Sequence, residues 1–261
     1  MVYPAPVDLT TFALILAVGL PATFLFAKAL KINTQKIDFT NRRREAWLAT
    51  VVFLAVFGLA FGIYGFYDRV WVRATLTADP LYVLRGAIAA AVILIPIALV
   101  LLAAKQNLKS AGISRRNLSK GLTLGLMVSL SLILAIGILS PILGGGFVGF
   151  SVSMGYHLLA FAVAGFSEEI VFRGYIQGRL EAKIRWPLAV VGGAAFYAAY
   201  NFVLGFFCFS GNLGLAAVYG VLRFAPGIVY GCVFQRSGNI VSCGVLHTLL
   251  TWGGLLFGLY L

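Results

Sequence analysis

Residues 81–104 read LYVLRGAIAAAVILIPIALVLLAA, an apolar run broken by a single charge, Arg85. A helix needs about twenty predominantly apolar residues to cross the hydrocarbon layer, so this run alone is long enough to span a membrane. The same ruler moved along the 261-residue chain gives eight candidate spans, near 9–29, 46–67, 81–104, 118–139, 147–166, 187–207, 213–234 and 239–260. The seventh is interrupted by Arg223 and Pro226. Composition points the same way, with 61% hydrophobic residues, 11% charged and a mean hydropathy of +0.98. Soluble domains are nearer half apolar and a quarter charged, so no water-soluble fold of this length covers so much apolar surface. The expected fold is an all-α, polytopic transmembrane helix bundle.

The formal charge of +12 comes from 20 Lys and Arg against 8 Asp and Glu. In a soluble chain that excess suggests a nucleic-acid partner, but here the basic residues fall between alternate spans, the pattern of loops retained in the cytoplasm. Lys28, Lys31, Lys36, Arg42, Arg43 and Arg44 follow the first span. Lys105, Lys109, Arg115, Arg116 and Lys120 follow the third. Arg173, Arg179, Lys183 and Arg185 follow the fifth, and Arg236 the seventh. The exceptions, Arg69, Arg73, Arg85 and Arg223, lie toward the opposite side, which predicts that both termini face away from the cytoplasm.

The first span is expected to stay as an anchor, because its basic cluster follows the apolar stretch. Trp47, Trp71 and Trp186 fall near span ends, where an amphipathic ring suits the interface. Glycines four apart (Gly58 and Gly62, Gly121 and Gly125, Gly227 and Gly231, Gly254 and Gly258) would let helices approach closely. Cys208, Cys232 and Cys243 with His157 and His247 give neither zinc-ligand spacing nor a disulfide framework. The chain reads as one integral membrane domain, 1–261, with four N-terminal spans in 1–145 and the polar motifs in 146–261.

In so apolar a chain the cluster Ser167-Glu168-Glu169-Ile170-Val171-Phe172-Arg173 needs a reason, because desolvating an unpaired ion costs several kcal/mol. Adjacent carboxylates point about 100° apart on a helix and should not face the same partner. Glu169 and Arg173 stand four apart in the favourable acid-before-base order, leaving Glu168 free to act as a general base for water. The bland reading is that both acids are solvated at the membrane surface and balance Arg173, Arg179, Lys183 and Arg185. Further along, His247 lies within the last span with Thr251 one turn on, so imidazole and hydroxyl would present donors side by side. His157 stands eleven residues before Glu168, about 16 Å along a helix, and reads as an interhelical hydrogen-bonding residue.

Glu168-Glu169-x-x-x-Arg173, then Phe196, the stretch Gly227-Ile228-Val229-Tyr230-Gly231-Cys232-Val233-Phe234-Gln235-Arg236-Ser237-Gly238-Asn239-Ile240, and a last span carrying His247, resemble the CAAX protease and bacteriocin-processing family, also called Abi. The resemblance covers roughly 161–252 and implies an intramembrane endopeptidase, a hydrolase with a cavity open to the cytoplasm. It implies that Glu168 activates water against a peptide carbonyl, that Glu169 and Arg173 support it, and that His247 stabilises the oxyanion. It implies a peptide or membrane-protein substrate, no nucleic acid and no cofactor. A metal held by Glu168, Glu169 and His247 would be a poor zinc set. A prokaryotic plasma membrane is the expected location.

The chain departs from the family pattern twice. Tyr200 stands where Phe-x-x-x-His has its histidine, with Asn201 next, and Thr251 stands where an asparagine is expected after His247. Threonine still donates a hydrogen bond, whereas a tyrosine with its ordinary pKa near 10 does not share a proton near neutrality. The alternative is therefore an inactive relative, a scaffold or subunit that binds a partner protein or lipid, with Tyr200, Asn201, Thr251 and Phe196 lining the site in either case. A transporter would want broken helices in matching halves, and only Arg223 with Pro226 offers a break.

Overall fold

A computed structural model describes residues 9–32, 37, 39–70, 80–142 and 145–258, with backbone alone at 66–70. Trp71, Arg73 and Lys36 therefore lie outside the described residues, as do the side chains of Tyr67 and Arg69. The described chain is helical throughout: α1 (Leu9–Ala29), α2 (Arg42–Val70), α3 (Pro80–Ala103), α4 (Leu118–Leu139), α5 (Val152–Glu169), α6 (Gly178–Lys183), α7 (Trp186–Cys208), α8 (Leu213–Ser237) and α9 (Ile240–Leu256). A 3₁₀ turn at Leu108–Ala111 precedes α4, and a π-helical stretch at Ile170–Gln177 joins α5 to α6.

Helices α1, α2, α3, α4, α7 and α8 are long and apolar enough to cross a membrane. On α4 the two faces are both apolar but differ in what they meet. Leu122, Leu126, Leu130, Leu134 and Ile138, each four apart, are exposed on the outside. Gly121, Leu124, Gly125, Val128, Leu132 and Ile136 are buried. A helix greasy all round and only half buried is one whose second face meets lipid. The protein is an integral membrane helix bundle.

The two remaining spans depart from a simple apolar run. Helix α9 is 17 residues long, and α5 carries Glu168 and Glu169 in its last turn. Both lie against other helices: α5 packs on α9 and α3, and α9 on α4. A helix sheltered by neighbours keeps polar side chains if those neighbours satisfy them. The predicted loop after the fifth span is in fact helical. Arg173 and Arg179, assigned to it from their charge, are fully buried in the π stretch and α6. Arg223 with Pro226, the candidate break in the seventh span, does not divide it, since α8 runs through Pro226.

Two of the four glycine pairs make close helix contacts. A Cβ on Gly125 would stand 2.4 Å from the Ser242 carbonyl of α9, and one on Gly231 would stand 2.8 Å from Gln177 Oε1. Gly58 and Gly62 meet nothing within 4 Å, so that pair brings no helix closer, and Gly258 takes a left-handed φ of +68° beyond the end of α9. The tightest approach was not one of the pairs. A Cβ on Gly174 would lie 2.0 Å from the Ala111 carbonyl oxygen, so only glycine lets the π stretch rest against the 3₁₀ turn. Because the obstacle is backbone, Gly174→Ala is expected to destabilise the protein by about 1–3 kcal/mol, the usual overpacking range. A fall in the melting temperature of the detergent-purified protein measures it, with Gly58→Ala as the neutral control.

Candidate functional site

Glu169 ends α5 fully buried, and its two oxygens go separate ways. Oε2 meets Arg173 Nε at 3.2 Å, and Oε1 meets His247 Nδ1 at 2.9 Å. The Arg173 contact is an ion pair without hydrogen-bond alignment, and the guanidinium instead donates from Nη2 to the Gly227 carbonyl of α8 at 3.0 Å. Its plane lies 4.5 Å from the Tyr197 ring centroid and 5.2 Å from that of Tyr230. Two aromatic faces and a carbonyl thus replace the water that a buried guanidinium loses.

Glu168 occupies the other side of the same imidazole, with Oε2 3.9 Å from His247 Nε2. The expectation that adjacent carboxylates cannot share a partner therefore fails. An imidazole carries nitrogens on two different edges, so residues 100° apart on α5 each reach one. Glu169 and Arg173 have no exposed side-chain surface, while Glu168 keeps 12%. These acids are not solvated surface charges. His247 is further fixed by Tyr230, stacked on it at 4.8 Å and 19°, and by Tyr197, whose hydroxyl lies 3.4 Å from Nε2. A carboxylate at Nδ1 holds the proton on that nitrogen and turns Nε2 toward Glu168 and Tyr197.

Close helix approach makes this meeting possible. A Cβ on Gly165 of α5 would come 3.3 Å from the His247 ring and from Thr248 Oγ1, so α5 and α9 touch nearly backbone to side chain here. The π stretch begins directly after Glu169, and its wider turn carries Arg173 back beneath the Glu169 carboxylate.

The other expected lining residues divide. Tyr200 is buried and shares a 2.7 Å hydrogen bond with the Tyr64 hydroxyl of α2, so its phenol already has a partner. Asn201 turns back on its own helix, its amide donating to the Tyr197 carbonyl at 3.0 Å. Thr251 has a buried hydroxyl without a hydrogen-bond partner. Phe196 does not join the group; it packs on Phe53 of α2 at 4.3 Å. His157 donates from Nδ1 within its own helix, to the Ser153 carbonyl 2.9 Å away, not between helices as expected, and its ring lies beside Tyr82 of α3. Among the described residues no group of three His, Cys, Asp or Glu is arranged to hold a metal ion.

Sequence reading missed Tyr197, Tyr230 and Tyr64 as neighbours of the site. Tyr197 and Tyr230 stood inside the quoted motifs, but an aromatic in an apolar span carries no signal of which neighbour it faces. A second buried network was missed as well. Arg179 donates to Glu45 Oε2 at 3.0 Å, to Gln106 Oε1 at 2.6 Å and to the Ser110 carbonyl at 3.1 Å, and lies 3.4 Å over the Tyr175 ring. Burial pushes the Tyr175 phenol up to about 12 and lowers the Arg179 guanidinium from its usual value. This network ties the helix that follows Glu169 to α2 and to the segment after α3.

The family model described as Type II CAAX prenyl endopeptidase Rce1-like matches residues 150–253, the segment from the start of α5 to the end of α9 that contributes Glu168, Glu169, Arg173, Tyr197, Tyr230 and His247. Over those residues, about two fifths of the chain, the protein is thus similar to the CAAX prenyl endopeptidases, as the motifs indicated. No curated protein matches it.

Breaking a buried ion pair by removing one member leaves an uncompensated charge and typically costs about 3–5 kcal/mol. Glu169→Gln is expected to destabilise by an amount in that range, whereas Glu168→Gln, at the accessible edge, should leave the melting temperature within a few degrees of the parent. Thermal unfolding in one detergent measures both.

Proposed function

We propose that the protein is an intramembrane endopeptidase acting near the cytoplasmic face, with Glu168 as the base that activates water. What supports this is the meeting of Glu168, Glu169 and Tyr197 around one imidazole in a largely apolar interior, within the segment that matches the endopeptidase family. The scheme takes His247 with a proton on each nitrogen, among the carboxylates of Glu168 and Glu169 and the guanidinium of Arg173, with Arg223 also acting on Glu168. Glu169 holds one proton of that imidazolium and the Nε2 proton points to where Glu168 and a substrate carbonyl would meet.

In this reading Glu168 takes a proton from water while the hydroxide oxygen bonds to the peptide carbonyl carbon, and the C=O electron pair moves onto oxygen. His247 Nε2–H and the Tyr197 hydroxyl donate to that oxyanion, in place of the family's asparagine. The oxyanion then collapses, the C–N bond breaks, and Glu168 returns its proton to the leaving nitrogen. Thr251, whose buried hydroxyl has no partner, is the further donor on the same helix. The histidine replaced by Tyr200 is not needed in this scheme, because His247 already lies within 4 Å of the base. Glu168, Glu169, Arg173 and His247 are the working set. In this reading both termini lie on the non-cytoplasmic side of a prokaryotic plasma membrane, which the basic residues between alternate spans support.

A second reading keeps the fold without the chemistry. Its support is Tyr200, tied to Tyr64 where the family carries a proton-transferring histidine. The chain would then hold a partner protein or a lipid.

Glu168→Gln in proteoliposomes with a panel of membrane-anchored peptides is expected to lower cleavage by about 100-fold or more, the span of one general acid–base group. Tyr197→Phe should lower it less, by about tenfold, for one oxyanion donor among several. Unchanged cleavage in Glu168→Gln rejects the mechanism. No cleavage by the parent, together with one defined partner that still co-purifies with Glu168→Ala, supports the scaffold.

A further inference from the structure

A cavity of about 1500 Å³ opens at one end of the bundle, between Ile37, Phe39 and Thr40 ahead of α2, the C-terminal part of α3, the segment joining α3 to α4, and the end of α8. Among the described residues its lining includes Arg44, Lys105, Lys109, Arg115 and Arg116, against a single acid, Glu45. Glu45 is already satisfied: Oε2 takes Arg179, and Oε1 accepts from Arg44 and Gln106 at 3.0 and 2.9 Å. Among the described residues no acid forms an ion pair with Lys105, Lys109 or Arg115. Self-repulsion among cations on one concave wall is unfavourable unless an anion joins them.

The wall that carries these charges is held in place. Gly112, at φ +73°, turns the chain out of the 3₁₀ helix, and its carbonyl accepts from the Ile240 amide at 3.1 Å. The Asn239 amide nitrogen donates to the carbonyls of Ser114 and Arg116 at 2.6 and 3.0 Å, and Asn117 donates to the Ser237 carbonyl at 3.2 Å. Arg115 and Arg116 therefore leave a backbone stapled from both sides to the α8–α9 corner. Presenting cations from a fixed backbone lowers the ordering cost of binding.

The other walls are apolar. Leu101, Leu102, Ala98 and Ile113 line the cavity, and Leu102 is 76% exposed on the outer flank of α3. Cations and apolar side chains meet where helices α3 and α8 end and α4 begins, the level at which polar headgroups join hydrocarbon. A soluble anion uses only the cations; an amphiphile uses both walls.

We infer that this cavity binds the phosphate headgroup of an anionic membrane lipid through Lys105, Lys109, Arg115 and Arg116, with its acyl chain against Leu101 and Leu102. The site is separate from the one around His247. Arg179 connects the two, bonding to Glu45, Gln106 and Ser110 on the cavity wall from the helix that follows Glu169.

The test measures binding of dioleoyl phosphatidylglycerol, dioleoyl phosphatidylcholine and inorganic phosphate to the full-length protein in a neutral detergent, by native mass spectrometry and by shift in melting temperature. A variant with Lys105→Gln, Lys109→Gln, Arg115→Gln and Arg116→Gln is compared with one that loses four exposed cations elsewhere, Lys28→Gln, Lys120→Gln, Lys183→Gln and Arg185→Gln. The site predicts at least about tenfold tighter binding of phosphatidylglycerol than of phosphatidylcholine, loss of that preference in the first variant, and its retention in the second. All eight positions are exposed at the ends of helices or in connections, and an unchanged circular dichroism spectrum shows that the variants fold. Equal binding of the two lipids, or equal loss in both variants, overturns the site in favour of diffuse charge attraction. Equal stabilisation by inorganic phosphate overturns the lipid assignment.

Discussion

The polar cluster where α5 meets α9 is organised by one buried carboxylate. Glu169 is shared between Arg173, one turn later in the same helix, and His247, 78 residues further along the chain. An ion without solvent has to find partners inside the protein, and here the partners come from three helices, because Arg173 also reaches the Gly227 carbonyl of α8. Removing any one of them strands the others. The constraint also sets the packing: α5 and α9 approach to the distance at which Gly165 alone leaves room for the imidazole, and α8 brings Tyr230 flat against it.

This arrangement separates two acids that are neighbours in sequence. Glu169 is fully enclosed and holds Nδ1 of the imidazole; Glu168 keeps a little exposure and faces Nε2. The histidine thus stands between a fully enclosed carboxylate and one that keeps partial exposure. Glu168, Glu169, Arg173 and His247 stand in contact with one another, and opposite charges in contact offset part of the cost of leaving water. Such compensation is why intramembrane ionisable residues point to function.

Much of the architecture was legible in the sequence because a bilayer reads hydrophobic length directly. The six long apolar helices fall where the span ruler put them, and the likeness of the motif-bearing segment to the CAAX prenyl endopeptidases was legible from Glu168, Glu169, Arg173 and His247 together. The reading failed where burial reversed the meaning of charge. Arg173 and Arg179 look like retained loop cations, yet both are buried, since pairing with Glu169 and Glu45 removes the reason for them to seek water. The π stretch left no mark that periodicity detects, because eight mostly apolar residues are too few to separate its wider turn from that of an α-helix. Glycine spacing was informative only where a neighbour existed: Gly125 and Gly231 face helices, Gly58 and Gly62 do not. Tyr197 and Tyr230 were invisible as site residues for a similar reason, because apolar spans do not record which side faces the interior.

The central claim is that Glu169 and His247 form one energetic unit across α5 and α9. A double-mutant cycle of Glu169→Gln and His247→Phe, read as unfolding free energies in a single detergent, tests it most directly. The shared carboxylate predicts a coupling energy of about 1 kcal/mol or more. Losses that simply add, to within about 0.3–0.5 kcal/mol, would contradict it and leave the two side chains as independent residents of the same bundle.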